Sequence, residues 1–493
     1  MRNATTRMSS PCHLWSARPL RVPASAWLLA LVLMLLAGTA PLVVSLRRDV
    51  PVRYDDAAEH FKYGSIGTES DLGIPRPVFD ALPELFEDLL PAVAGRGYER
   101  LGFVYEPGRD LPVGTSVRQG LVPLVGLNCA ACHTGTLRRS KGAAVELFPG
   151  APGNRFNSAA FLQFLGEVGS DPRFEPDQLF EAMRRQHVRL SWPQRQYYRL
   201  VVVPTTKERL LQVRRQFSWL QRRPAAGPGR ADTVSPYKLL VGMGPGEDDS
   251  AGIADYPPLY NQGIRQGMSL HWDGNNDSVD ERHRTSIAGA GGWPASLDLA
   301  AVERVAAWVQ DLQPPVFPRD RIDLARAGRG RAIFERECAD CHGGGGKRVG
   351  RVTPVLDVGT DPERFAAFTD ALVGRMNALG ARYPWRFSHF KRTEGYANVP
   401  LEGIWVRSPY LHNGAVPTLR ALLFPDERPE VFFRGYDVFD WEQVGYVSSG
   451  PDAEENGTRF DTRLRGNHNT GHEYGTRLPV GEKEDLIEYL KTL

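Results

Sequence analysis

The sequence has little cysteine and no excess of charge of either sign. Five cysteines occur in 493 residues, and four of them fall in two C-x-x-C-H patterns. Cys12 is left with no partner and reads as an incidental thiol. Sixty basic residues against fifty-eight acidic ones leave the chain near neutral, so nothing in its charge points to nucleic acid as a partner. A 42% hydrophobic content is ample for packed cores and excludes a disordered or collagen-like chain; the length suits two or three domains. Two local absences bear on chemistry: there is no histidine from Thr134 to Gln186, and no carboxylate from His283 to Leu297.

What is present is organised around Cys129-Ala130-Ala131-Cys132-His133 and its second copy, Cys338-Ala339-Asp340-Cys341-His342. In this order two thiols add across the vinyl groups of a porphyrin, and the adjacent imidazole becomes the proximal iron ligand. A four-cysteine zinc site or a pair of redox dithiols would also use two C-x-x-C pairs. The histidine directly after both pairs argues for two covalently bound haem c groups, with Cys129, Cys132, Cys338 and Cys341 as attachment points and His133 and His342 on the irons.

Residues 26–46 carry no charge over 21 positions, long enough to cross a bilayer as one helix. Apolar residues continue past Pro41, which favours an uncleaved anchor over a signal peptide with its shorter core; secretion after cleavage is the alternative. Because c-type haem is attached outside the cytoplasm, the expected location is the periplasmic side of the inner membrane, on a single-pass anchor.

Along the remainder, apolar residues recur at three and four over Arg76–Leu90, over Asp298–Leu312 and over Glu482–Leu493, which predicts helices. Residues 325–338 predict a short helix running straight into the second motif. Trp192–Arg223, rich in Arg, Gln, Tyr and Trp, reads as a solvated helix face or an electron-donor dock, and breaks at Pro224. Each periodic closing helix ends a segment that begins near a C-x-x-C-H motif, so the chain reads as two diverged modules joined at Pro314-Pro315. The expected fold is mainly α: two tandem cytochrome c-like haem domains with long loops, the 50 glycines and 38 prolines supplying the loops, and some short strands after Glu430. The expected divisions are 1–49 with the anchor, 50–315, and 316–493.

Two C-x-x-C-H motifs with the loop His271-Trp272-Asp273-Gly274-Asn275-Asn276-Asp277 between them resemble the bacterial di-haem cytochrome c peroxidase superfamily. The stretches LNCAACHTGTL, HWDGNNDSVDER, SPYLHNGAVPTLRALL and GNHNTGHEYGTRL are similar to the rubber oxygenase (latex-degrading di-haem dioxygenase) branch. Rubber oxygenases are longer and secreted, which sets polyisoprene apart from this chain's expected substrate. The resemblance implies that Trp272 lies between the haems and carries electrons; a tryptophan filling the module interface would occupy the same place. It also implies that Ile287 lines the first haem's pocket, although core packing would account for that residue equally.

A peroxidase of that superfamily offers a distal histidine shortly after the first motif and an acid after the W-D-G loop; this chain has neither. The first haem is therefore expected to be five-coordinate, or to hold only a weak sixth ligand, in an open and rather apolar pocket, with Arg282 or His283 as partial substitutes. Such a pocket suits O2 more than H2O2, since O–O heterolysis is helped by an acid-base group. For the second haem the resemblance favours His472 as distal ligand, with His412, His468, His389 and Met376 as the other candidates. The function expected is an oxidoreductase, oxygenase-like at the first haem with the second as electron relay. A peroxidase-like enzyme and a plain membrane-anchored electron-transfer cytochrome are the alternatives. The expected partners are a small redox donor or acceptor, O2 or H2O2, an apolar organic substrate, and the membrane through the N-terminal helix.

Overall fold

The computed structural model describes residues 49–493 except 245–249, 251, 293, 380, 382 and 384. Its architecture corrects the mainly α expectation. The predicted helices form, but fourteen short strands in six small sheets stand among them within the described residues. Four of those strands make one antiparallel sheet, in which Thr115–Gln119 lies between Val50–Pro51 and Leu124–Leu127, and Leu124–Leu127 also pairs with Ile74–Pro75. This sheet delivers the first motif. Leu124–Leu127 runs directly into Asn128 and Cys129, and after His133 the chain leaves as the strand Thr134–Leu137, paired with Glu146–Pro149.

The second motif is delivered by a helix, as its sequence predicts. Asp323 caps Leu324–Glu337 by accepting from the amides of Ala325 and Arg326, and Cys338 follows the last turn. That helix packs along the C-terminal helix Val480–Leu490, where Phe334 meets Tyr489 and ion pairs join Arg329 to Asp485 and Arg326 to Glu484. Leu299–Gln310 forms as expected, with Asp298 as N-cap. The Arg76–Leu90 prediction ends as an α-helix at Leu85, and a 3-10 turn follows at Glu87–Leu89. The basic segment after Ser191 is helical through Gln216 and breaks after Arg222.

No described helix is long and apolar enough to cross a membrane, a finding against the expected single-pass anchor and the inner-membrane location inferred from it. The 26–46 segment on which that expectation rested lies outside the described residues. Pro314-Pro315, read as the joint between modules, is tied down: Trp405 donates its indole N–H to Pro315 O at 2.8 Å.

Candidate haem centres

At the first motif, local chemistry fixes the backbone before any cofactor is considered. The Asn128 side chain accepts from Ala130 N at 3.0 Å and donates to Gly64 O at 3.1 Å, which pins the start of the 3-10 turn Cys129–Ala131. Gly114 lies against that turn with φ +89°, and a Cβ there would sit 2.3 Å from the Ala131 backbone, so only glycine lets the sheet approach so closely. His133 Nδ1 is 2.9 Å from Pro257 O, to which it donates when protonated there. Its Nε2 is then the free lone pair, and burial with the nearby Arg282 charge lowers its pKa to about 4, so the ring is neutral.

Beside this motif lies a cavity of about 250 Å³. Its wall includes Cys129, Cys132, His133, Trp272, His283 and Ile287, with Leu165, Leu210 and Val213 among its apolar lining. A ring-sized apolar space bordered by both thiols and a presented imidazole fits a covalently attached porphyrin.

The second motif presents its histidine in the same way: His342 Nδ1 is 2.7 Å from Val399 O. What faces it differs. His472 lies with its ring centroid 6.2 Å from that of His342. Two metal–nitrogen bonds of about 2.0–2.1 Å plus two imidazole radii span roughly that separation, so one iron fits between the rings. Both rings are kept neutral by burial, His472 at about 4. His472 stands in a left-handed conformation (φ +50°) and its N–H donates to Val358 O. Arg428 secures the approach by donating to Asn469 O and Gly471 O at 2.7 and 2.9 Å.

The other distal candidates are engaged elsewhere. His412 stacks on Tyr396 with centroids 3.9 Å apart, His468 pairs with Asp361 at 2.8 Å, and His389 pairs with Glu281 at 2.7 Å. Met376 is buried in an apolar cluster with Phe368 and Leu372.

Trp272 borders the large cavity and also a smaller one lined by Val399 and Pro400. Its indole N–H donates to Asp255 O at 2.6 Å, and its own carbonyl accepts from Ala397 N at 2.9 Å. Asp255 is two residues from Pro257, which holds His133; Ala397 is two residues from Val399, which holds His342. A short covalent and hydrogen-bonded route therefore joins the two motif histidines through Trp272. Ile287 is 1% exposed and packs with Ile66 and Val302 while lining the cavity, so its core and pocket readings coincide. Arg282 also lines the cavity, and its Nη1 donates to Gln262 Oε1 at 2.8 Å.

Comparison with known families bears directly on the second centre. The family described as "RoxA-like, cytochrome c-like" matches residues 395–433. Over those residues the chain is similar to a RoxA-like cytochrome c. The family described as "Cytochrome C oxidase, cbb3-type, subunit III" matches residues 325–384, which include Cys338–His342. These matches support covalently bound haem c, and with it a haem-based electron-transfer or oxidoreductase role. The chain is also similar to two proteins of Sinorhizobium fredii. It is 33% identical to "Uncharacterized protein y4iM" over 290 residues, which span 49% of this chain and 65% of that protein. It is 26% identical to "Uncharacterized protein y4iJ" over 523 aligned positions, 82% of this chain and 85% of that one. The first motif lies outside both matches, and its reading rests on its own residues and the cavity beside them.

Proposed function

We propose that the protein is a di-haem c-type oxidoreductase of two haem modules, 50–315 and 316–493. In this reading the His133 centre takes O2 and an apolar organic substrate, and the His342 centre relays electrons by way of Trp272. The observation that carries the reading is an asymmetry: His133 borders an apolar cavity, whereas His342 faces another histidine at 6.2 Å. Haem c, when attached, supplies an iron that changes oxidation state and can take a small ligand where a coordination position is free. The chain's own residues do the rest. Pro257 and Val399 hold the proximal rings in one tautomer. Leu165, Leu210, Val213 and Ile287 keep water from the cavity and favour an apolar substrate. His342 and His472 together would hold the relay iron at a lower potential than a His/Met pair. A small redox donor or acceptor would exchange electrons at this second centre.

Spectroscopy of the purified holoprotein tests this. One haem should be high-spin and shift with O2, CO or imidazole, and the other low-spin and unresponsive. Two low-spin haems that both ignore these ligands would leave the plain electron-transfer cytochrome instead. A peroxidase-like reading is favoured by one observation, the His283 ring at the cavity wall; turnover of H2O2 against O2, with a panel of donors and apolar substrates, separates it from oxygenation.

A further inference from the structure

The helix Val279–Gly289 places His283 one turn before Ile287, so both side chains share a face and line the cavity that His133 borders. Both ring nitrogens of His283 are buried without a hydrogen-bond partner, and among the described residues it is the only histidine of which this is true. Leaving a buried donor or acceptor unpaired carries the full desolvation penalty of that group. A partner supplied by a ligand would account for it.

The helix is held firmly enough to aim that ring. Ser278 caps it by accepting from Glu281 N. Glu281 in turn accepts from Asn276 and from the amides of Ser388 and His389. The neighbouring cation, Arg282, is occupied with Gln262.

The relation of His283 to His133 differs from that of His472 to His342. The latter two rings stand 6.2 Å apart, the spacing of a shared metal ion. Among the described residues no ring contact joins His283 to His133, yet both border the same cavity. Burial keeps it neutral, its pKa lowered to about 3, and a neutral imidazole always has one N–H to donate.

Resting on the open-centre reading above, we propose that His283 is the distal histidine of the first cavity: it does not ligate the iron, but donates a hydrogen bond to a diatomic or small anionic ligand held between itself and His133. The sequence offers His283 only as one of two partial substitutes beside Arg282, because the residue comes from the helix after the W-D-G loop and not from the segment after the first motif.

The test uses full-length holoprotein, with CO and cyanide as probes. In His283→Leu the C–O stretching frequency of the ferrous CO complex should rise, and cyanide should dissociate from the ferric form on the order of tenfold faster or more, the loss of one hydrogen bond to a charged group. His283→Gln, which keeps an N–H donor, should restore most of both. Removing an unpartnered ring should not unfold the protein, and an unchanged low-spin band from the second haem would confirm that the variant is intact. The proposal is overturned if the leucine variant matches wild type in both readouts. It is also overturned if wild type is low-spin at this haem and the variant turns it high-spin, since His283 would then be a ligand. Wild type that binds neither probe would sink the open-centre reading as well, which distinguishes the two failures.

Discussion

At Gly471 a single backbone torsion decides where the His472 ring points. Gly471 has φ +78°, and a Cβ there would sit 2.2 Å from the Gly359 backbone carbon. The two chain segments touch at a separation that no side chain permits, and the His472 amide is bonded to Val358 O beside that contact. Gly471→Ala should therefore push the loop away and strain a left-handed position, at a cost of about 1–3 kcal/mol. His472→Ala should turn one haem high-spin, and Gly471→Ala should do so partially, with the glycine variant recovering low-spin character when imidazole is added. An unchanged optical and EPR spectrum in His472→Ala would remove the ligand assignment. The residues proposed to attach haem were legible because that chemistry is written in spacing: C-x-x-C-H needs no tertiary information. His283 was legible only as an alternative to Arg282. What singles it out is the burial of two unpartnered nitrogens, and that depends on where the helix lies, which no local pattern records.

The helix Val279–Gly289 shows how an element carries a site. Burial alone would raise the Glu281 pKa, but hydrogen bonds from His389, Asn276 and the amides of Ser388 and His389 outweigh it and hold the carboxyl below its usual range. The sign follows from linkage. A carboxylate whose folded-state pKa is depressed contributes stability that is fully present above the unfolded value, about 4.3 for glutamate, and is lost as pH falls through the folded value. Glu281→Gln should thus lower stability by about 1–3 kcal/mol at pH 7, and the gap from wild type should close as the pH is taken toward and below 4. Urea unfolding at several pH values measures it; a gap independent of pH would mean that the carboxylate charge is not what matters. At this scale the sequence was read unevenly. Helices with caps and a 3.6 period, such as Leu299–Gln310 and Leu324–Glu337, were legible near their observed ends. The strands around the first motif were not. Thr115–Gln119 and Leu124–Leu127 span five and four residues, and runs so short carry no period that separates strand from loop. Pairing across the sheet stabilises them, and the partner at Ile74–Pro75 is distant in sequence. The first motif therefore rides on a sheet and the second on a helix, a difference that two copies of one pattern conceal.

On the scale of the whole molecule, the two motif-bearing halves share packing. Trp405, 2% exposed, meets Phe148, Phe317 and Phe439 edge-on, with centroids 5.9, 5.3 and 5.7 Å away, and its N–H holds Pro315. Phe148 belongs to the strand paired with the exit from the first motif. Near it, Tyr446 donates to Thr136 O at 3.0 Å, and Arg138 N donates to Asp437 O at 2.7 Å. Contacts of this kind join residues close to His133 to the half of the chain that holds the RoxA-like match. A tryptophan at their centre couples the stability of both sides. Removing it should cost about 3–5 kcal/mol, as large-to-small core changes at aromatic positions do. If the halves unfold as one cooperative unit, Trp405→Ala should lower the denaturation midpoint equally whether unfolding is followed by the CO-responsive haem band or by the low-spin band. Two midpoints that separate in the variant, with only the low-spin band displaced, would show instead that each haem module holds itself together. The hydrogen-bonded route through Trp272 would then have to survive between modules that open independently, and a fixed path between the two proximal histidines would lose its structural basis.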